Sequence, residues 1–461
     1  MKENLITNIF TEADDSIFSD GSIDPLGLRI IWTSIGNKIF GNRLNTISTD
    51  IRFFTLNLFH HSIIEECERK YEEQFAKLSG TPPYNNKVDL EDGLVIFLEC
   101  LMTHSLNEMW ENMRDEDLGM VPGMSKLRNK KDGNPSDKMV TEIEVNRIKG
   151  ILVRHHLLGI HGRHKNPFRE MDIFEGNNYY LHKGIWKEAE QIFSVSPWKE
   201  LRTKLIDLIG NKVLVSKRLS GAYLKIKVDE LPVKELASLY FACLQPLNFK
   251  NKALVGFWEA RLGLLDGNAN ILYTELKKEA VNVGDDSWPD YEAIIKNALK
   301  KQSTKDGLQI HAIKAIEPLL TCFDKVINRI LFRRTSSISD LVSFAEIWLA
   351  SSSISTKAIE PFLSDTYMEG SALSRLKELL KIYTKAASGQ EFIKKVIAYH
   401  HQVMNNRGGM AWVSISKTGE IKHHRSYNFR NDQLESLATE EWVNTYYLPT
   451  VFLLYKGLHT N

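Results

Sequence analysis

Apolar residues recur at helical spacing along most of the chain. Leu28, Ile31, Trp32, Ile35 and Ile39 share one helical face, and after a break near Gly41 the pattern resumes with Phe54, Leu58, His61 and Ile64. Thr49 or Asp50 stands where a side-chain cap for the second of these helices belongs. A third helix fits residues 90–113, with Leu94, Phe97, Leu98 and Leu101 on its apolar side. Amphipathic stretches return at 201–209, 233–244, 254–265, 291–300, 310–331 and 391–404, and a closing helix fits about 440–458.

Two stretches depart from this period. Residues 410–416 alternate apolar and polar, 417–420 read as a turn, and 421–427 as a return strand. Residues 145–185 read as a helix over 145–156 and a hairpin. Leu157–Ile160 forms its first strand, basic Gly162–Pro167 its tip, and Tyr179–Leu181 its return. The expected fold is mainly α: a multi-domain helical protein with a winged-helix-like element and a short C-terminal β-hairpin. Gly, Pro and Asn concentrate in 119–138 and mark a boundary. The expected segments are 1–120, an N-terminal helical domain after an acidic lead-in; 121–197, the basic winged-helix-like segment; 198–335, helical; and 336–461, helical with the basic hairpin. No fixed-period repeat is present.

Composition changes this picture in one respect. The formal net charge is +1 over 461 residues, so attraction to nucleic acid or acidic lipid must come from local patches. Two windows supply them. Between Lys126 and Arg169 eleven basic residues face four acidic ones, and between Lys381 and Arg430 nine face two, a balance of +7 in each. In the first, Arg147, Lys149, Arg154, Arg163 and Lys165 are expected to contact phosphate from the helix and the wing. In the second, Arg407, Trp412 and Lys422 suit a surface that pairs with backbone and stacks on bases. A helix C-cap at Gly408 with Trp412 in the core is the structural alternative for that region.

His155, His156, His161 and His164 cluster in ten residues, but no carboxylate or thiolate lies among them, so they are read as an extension of the basic surface rather than as metal ligands. Cys67, Cys100, Cys243 and Cys322 form no close-spaced pair and read as small buried hydrophobes, with all thiols free. No metal or cofactor is expected. No phosphate-binding glycine loop, nucleophile elbow or zinc-protease motif is present. No apolar run approaches the roughly 20 residues of a membrane span, and the first residues lack a secretory pattern, so no membrane contact and a cytoplasmic location are expected.

The run from Asp24-Pro25-Leu26-Gly27-Leu28 to Trp32, the Ile39-Phe40 step, and Asn45–Phe54 resemble the opening of uncharacterised bacterial proteins encoded beside helicases and phospholipase-D-type nucleases in phage-defence islands. That resemblance implies context, with no catalytic residue to carry over: a DNA-associated, non-catalytic accessory subunit whose partners are DNA and a helicase or nuclease. Two alternatives stand beside it. One is a protein-binding scaffold without nucleic-acid contact; the other is an enzyme with an unrecognised site around His401–Trp412.

Overall fold

The computed structural model describes residues 24–46, 48–113, 121–128, 141–176, 178–216, 221–284, 287–301, 308–332, 337–368, 370–424 and 442–459. The lead-in, 119–120 and 129–138 of the expected boundary, and the end of the last return strand lie outside these residues. Among the described residues helix dominates, with two small two-stranded sheets. The chain divides into two compact units, one of residues 1–40 and 266–448, the other of 41–265 and 449–461.

The second unit is built on α2 (Ile51–Lys70) and α4 (Lys87–Met113). Asp50 caps α2, its carboxylate accepting the Arg52 N–H at 2.8 Å. The seven consecutive residues Phe54–His60 are all buried, so α2 lacks a polar face and runs through the interior. It packs on α4, α7 (Ile160–Glu170), α8 (Lys183–Ile192) and α9 (Trp198–Leu208). Helix α4 is buried on every side from Leu94 to Leu98 and packs against α10 (Val233–Leu244). One antiparallel sheet joins β1 (Glu142–Glu144) to β2 (Lys225–Lys227), with Ile143 opposite Ile226. Further α-helices of this unit are α3 (Glu72–Leu78), α5 (Met124–Arg128), α6 (His155–Leu158) and α11 (Lys252–Arg261).

The first unit is organised by α14 (Gln309–Leu331), which packs on α1 (Leu28–Phe40), α13 (Tyr291–Leu299), α15 (Ser339–Leu349), α16 (Thr356–Ile359) and α18 (Gly389–Asn406). Helix α12 (Gly267–Ala280) packs on α13 and α1, and α17 (Gly370–Thr384) on α1 and α18. Ser388 caps α18 by accepting the Glu391 N–H, while the Glu391 carboxylate reaches back to the Ala387 N–H at 2.8 Å. Gly408, with φ +72°, lets the chain leave this helix in the left-handed region. The expected hairpin follows as β3 (Val413–Ile415) and β4 (Ile421–His423), paired Val413 to His423, with Gly419 at φ +86° in the turn. The last helix, α19 (Leu448–His459), belongs from Pro449 onward to the second unit.

The winged-helix expectation is corrected. Residues 145–154 form no helix, and among the described residues of 157–185 there are no paired strands, only an isolated bridge from Glu175 to Asn178. Helices α6 and α7 stand where the hairpin was read. The reason lies in α7: its inward face carries Ile160, His161, His164, Pro167 and Phe168, so two of its five buried positions are histidines and a third is a proline. Upstream, the helix-like spacing of Val145, Ile148 and Ile151 is misleading. Val145 and Ile151 are buried but Ile148 is exposed, and the backbone donates instead to Asn146 Oδ1 and Cys100 Sγ.

Candidate functional site

The first basic window is dispersed by the fold. Arg147 lies just beyond β1 with its guanidinium 3.0 Å from the buried Asp89 carboxylate. Lys149 and Arg154 are exposed, and Arg163 is half-buried on α7. Lys165 turns toward Asp92, 3.3 Å away, with its ammonium 5.1 Å from the Tyr179 ring centroid. Lys165 is thereby committed to an internal carboxylate.

That carboxylate belongs to a histidine chain which the sequence reading missed. Tyr180 Oη lies 3.1 Å from His61 Nδ1, and His61 Nε2 lies 3.0 Å from His161 Nδ1. His161 Nε2 is 3.2 Å from Asp92 Oδ1, close enough for attraction but off the line of a good hydrogen bond. Asp92 Oδ1 also accepts the Tyr179 hydroxyl at 2.7 Å. One proton assignment serves every member: Tyr180 O–H donates to His61 Nδ1, His61 Nε2–H donates to His161 Nδ1, and His161 Nε2–H faces the ionised Asp92. Burial, reinforced by the neighbouring His161, holds the His61 pKa well below its ordinary value. Burial alone would raise Asp92, but His161, Lys165 and Tyr179 hold it well below the usual carboxylate range. Burial also lowers His60 and His164 to about 4.

A second chain sits farther along α4. The Glu99 carboxylate accepts His155 Nε2–H at 2.9 Å, Ile160 N–H at 2.8 Å and His161 N–H at 2.6 Å. Gly159 precedes α7 and offers no capping side chain, so Glu99 supplies the cap from a neighbouring helix. Cys100 Sγ lies 4.0 Å from His155 Nδ1 and accepts the Ile151 N–H at 3.3 Å. Burial opposes charge on His155, yet Cys100 and Glu99 together raise it to about 10. Cysteine, histidine and carboxylate in this order suggest a nucleophile with its base. All three side chains are buried, and each contacts groups that fix α4, α6 and α7 together. The arrangement positions helices.

His155, His161 and His164 are therefore core residues and not an extension of the basic surface; each is at most 2% exposed. Of the four clustered histidines only His156 is partly exposed, its Nδ1 3.2 Å from the Ile148 carbonyl oxygen. The usable sequence signal was His61, which falls in the apolar series of α2. Asp92 and Glu99 lie tens of residues away in the chain, so no local motif joins them to the histidines.

Burial and anchoring are the outstanding features of the second window. Trp412 is 3% exposed, and its backbone N–H donates to His400 Nε2 at 2.9 Å, so the alternative of a helix C-cap at Gly408 with Trp412 in the core is what the fold adopts, and the stacking platform is corrected. His400 Nδ1–H donates to the Pro25 carbonyl at 2.9 Å, and His401 Nε2–H to that of Val413 at 2.6 Å. Arg407 is exposed and donates to the Asp24 carbonyl; Lys422 projects into solvent from β4. Lys381, Lys385 and Lys395 border a groove of about 230 Å³ between α17 and α18, floored by Ile382, Ala398 and Tyr399. Lys381 and Lys395 already pair with Glu378 and Glu391.

All four cysteines are free and buried. Among the described residues no cluster of His, Cys, Asp and Glu has the makings of a metal site, and no helix is long and apolar enough to cross a membrane.

The surface around residues 147–158 is the remaining candidate. Ile148, Val153, Leu157 and Leu158 are 41, 67, 54 and 48% exposed, beside the exposed Arg147, Lys149 and Arg154. Single exposed aliphatic residues are ordinary; four within eleven consecutive positions are a local concentration. No protein-family model, curated protein or solved structure matches this chain.

Proposed function

We propose that this chain is a non-catalytic accessory component of a multi-protein assembly and that it acts by binding another protein through residues 147–158. The observation that carries this reading is the exposure of Ile148, Val153, Leu157 and Leu158 on one short segment. Apolar side chains with arginine among them are the composition of a protein interface core. The resemblance of residues 24–54 supplies the context, a bacterial defence assembly in the cytoplasm with a helicase or nuclease as partner. The experiment is a photo-crosslinking amino acid placed at Val153 in the source cells, with Val281, 78% exposed in the other unit, as the control position. Adducts at 153 and not at 281 support the reading; their absence at 153 removes it.

Direct DNA contact is the second reading. It is favoured by Lys149 and Arg154, exposed cations without an ion-pair partner among the described residues. Duplex binding that weakens steeply with salt, and loses about one unit of slope when Arg154→Ala removes one phosphate contact, would establish it.

A further inference from the structure

We infer that the partner of the 147–158 surface presents an acidic amphipathic helix. The inference rests on the docking reading above and names the chemistry of its occupant. Charge is the first argument. Between Val145 and Arg169 there are six basic residues and no Asp or Glu. Arg147 and Lys165 face Asp89 and Asp92, Arg169 donates to the Gly176 carbonyl and to Asn166 Oδ1, and Arg163 is half-buried on α7; within the exposed segment itself that leaves Lys149 and Arg154, exposed and without an ion-pair partner among the described residues. A partner that buries those side chains must bring carboxylates to the same place, because desolvating a cation without a counter-charge opposes binding.

The second argument is shape. The segment is short but fastened. Asn146 Oδ1 accepts the Ile148 and Lys149 N–H groups at 2.9 and 3.2 Å. Ile151 N–H donates to Cys100 Sγ, Gly150 N–H to the Leu152 carbonyl, and His156 N–H to the Ile148 carbonyl. The backbone that carries the exposed aliphatic side chains is thus fixed, and little of its ordering entropy remains to be lost on docking. An amphipathic helix with carboxylates flanking its apolar stripe is the simplest occupant that supplies apolar cover and counter-charge together.

Composition argues against single-stranded nucleic acid: the segment holds no Trp, Tyr or Phe, the side chains that stack on its bases.

The test uses the full chain and three fluorescent helical peptides of about 18 residues: one with a leucine stripe flanked by Glu, one with Lys replacing each Glu, and one with Ser replacing each Leu. Anisotropy should show the Glu–Leu peptide binding at least about tenfold more tightly than either other peptide, at 50 mM and at physiological salt. Lys149→Glu with Arg154→Glu should reverse the preference between Glu and Lys peptides, and Leu157→Ser should weaken the Glu–Leu peptide about tenfold without changing the helical circular-dichroism signal. Equal binding of the Glu and Lys peptides, or no measurable binding of the Glu–Leu peptide, overturns the inference. So does tighter binding of acidic lipid vesicles or duplex DNA in direct competition. Cross-links at Val153 combined with any of these results would leave the docking reading in place and discard only the acidic helix. Loss of the cross-links discards both.

Discussion

Glu99 and His155 form a 2.9 Å hydrogen bond between two side chains that are each at most 2% exposed, and the same carboxylate accepts the first two N–H groups of α7. One residue thus joins α4, α6 and the start of α7. Glu99→Ala should destabilise the second unit by about 3–5 kcal/mol, since it leaves a buried imidazole and two backbone donors unpaired. Urea denaturation followed by circular dichroism measures it. A change below about 1 kcal/mol would show that water or another acceptor replaces the carboxylate.

The histidines set the direction of pH dependence. His60 and His164 titrate near 4 in the folded protein, against 6.5 when unfolded. Between those values the unfolded chain binds more protons, so stability present above pH 6.5 is lost as pH falls toward 4. The loss is up to about 1.4 kcal/mol per pH unit for each group, and His61 adds in the same sense. His155 runs the other way. Raised to about 10, it contributes stability below pH 6.5 that is lost as pH rises through 10. Exchange protection of α2 and α7 amides, corrected for intrinsic rates, should therefore peak near pH 6.5. A continuous rise from pH 5 to 9 would contradict this assignment.

Gly150, within the exposed segment, is packed directly against the buried Cys100 and His155. A Cβ there would stand 2.6 Å from His155 Nδ1 and 2.7 Å from Cys100 Sγ. Gly150→Ala should cost about 1–3 kcal/mol by overpacking and should lift the segment away from Cys100. A thiol reagent should then modify Cys100 well before Cys67, Cys243 and Cys322, which are buried and whose thiols burial pushes up. Reactivity of Cys100 no faster than in the parent chain would show that the segment absorbs the methyl group without moving.

The elements legible in the sequence are those whose buried face is spelled in aliphatic and aromatic residues. Helices α1, α4, α10 and α14 and the β3–β4 hairpin follow the period read for them, and Asp50 caps α2 as expected. Helix α7 was read as a wing because His161 and His164 complete its apolar stripe, and a histidine gives no sign in sequence of whether it faces water or core. Trp412 shows the converse limit: basic neighbours suggested a stacking surface, but its ring packs against His400 with centroids 5.7 Å apart. The exposed aliphatic residues were hidden for a third reason. Ile148, Val153, Leu157 and Leu158 look like core residues until the fold leaves them outside.

His400 bridges two backbone groups that allow only one tautomer. The Pro25 carbonyl can only accept, so Nδ1 carries the proton, and the Trp412 N–H can only donate, so Nε2 must stay bare. Burial lowers the pKa of this histidine, and protonation would also turn Nε2 from acceptor to donor against the Trp412 N–H. The sign is that of a depressed group: stability present above pH 6.5 is lost as pH falls toward the folded value. His400→Phe keeps the ring but strands the Pro25 carbonyl and the Trp412 N–H, at about 1–3 kcal/mol for each group that water cannot reach. His401 is half-buried and makes one bond, to the Val413 carbonyl, so His401→Ala should cost about 1 kcal/mol. Thermal unfolding of the two variants should rank them in that order, and His400→Phe should lose part of the decline in stability between pH 6.5 and 5 that the parent shows. If His401→Ala instead proves the more damaging, or if it abolishes an activity of the assembly while leaving the melting temperature unchanged, this region carries chemistry and not only structure.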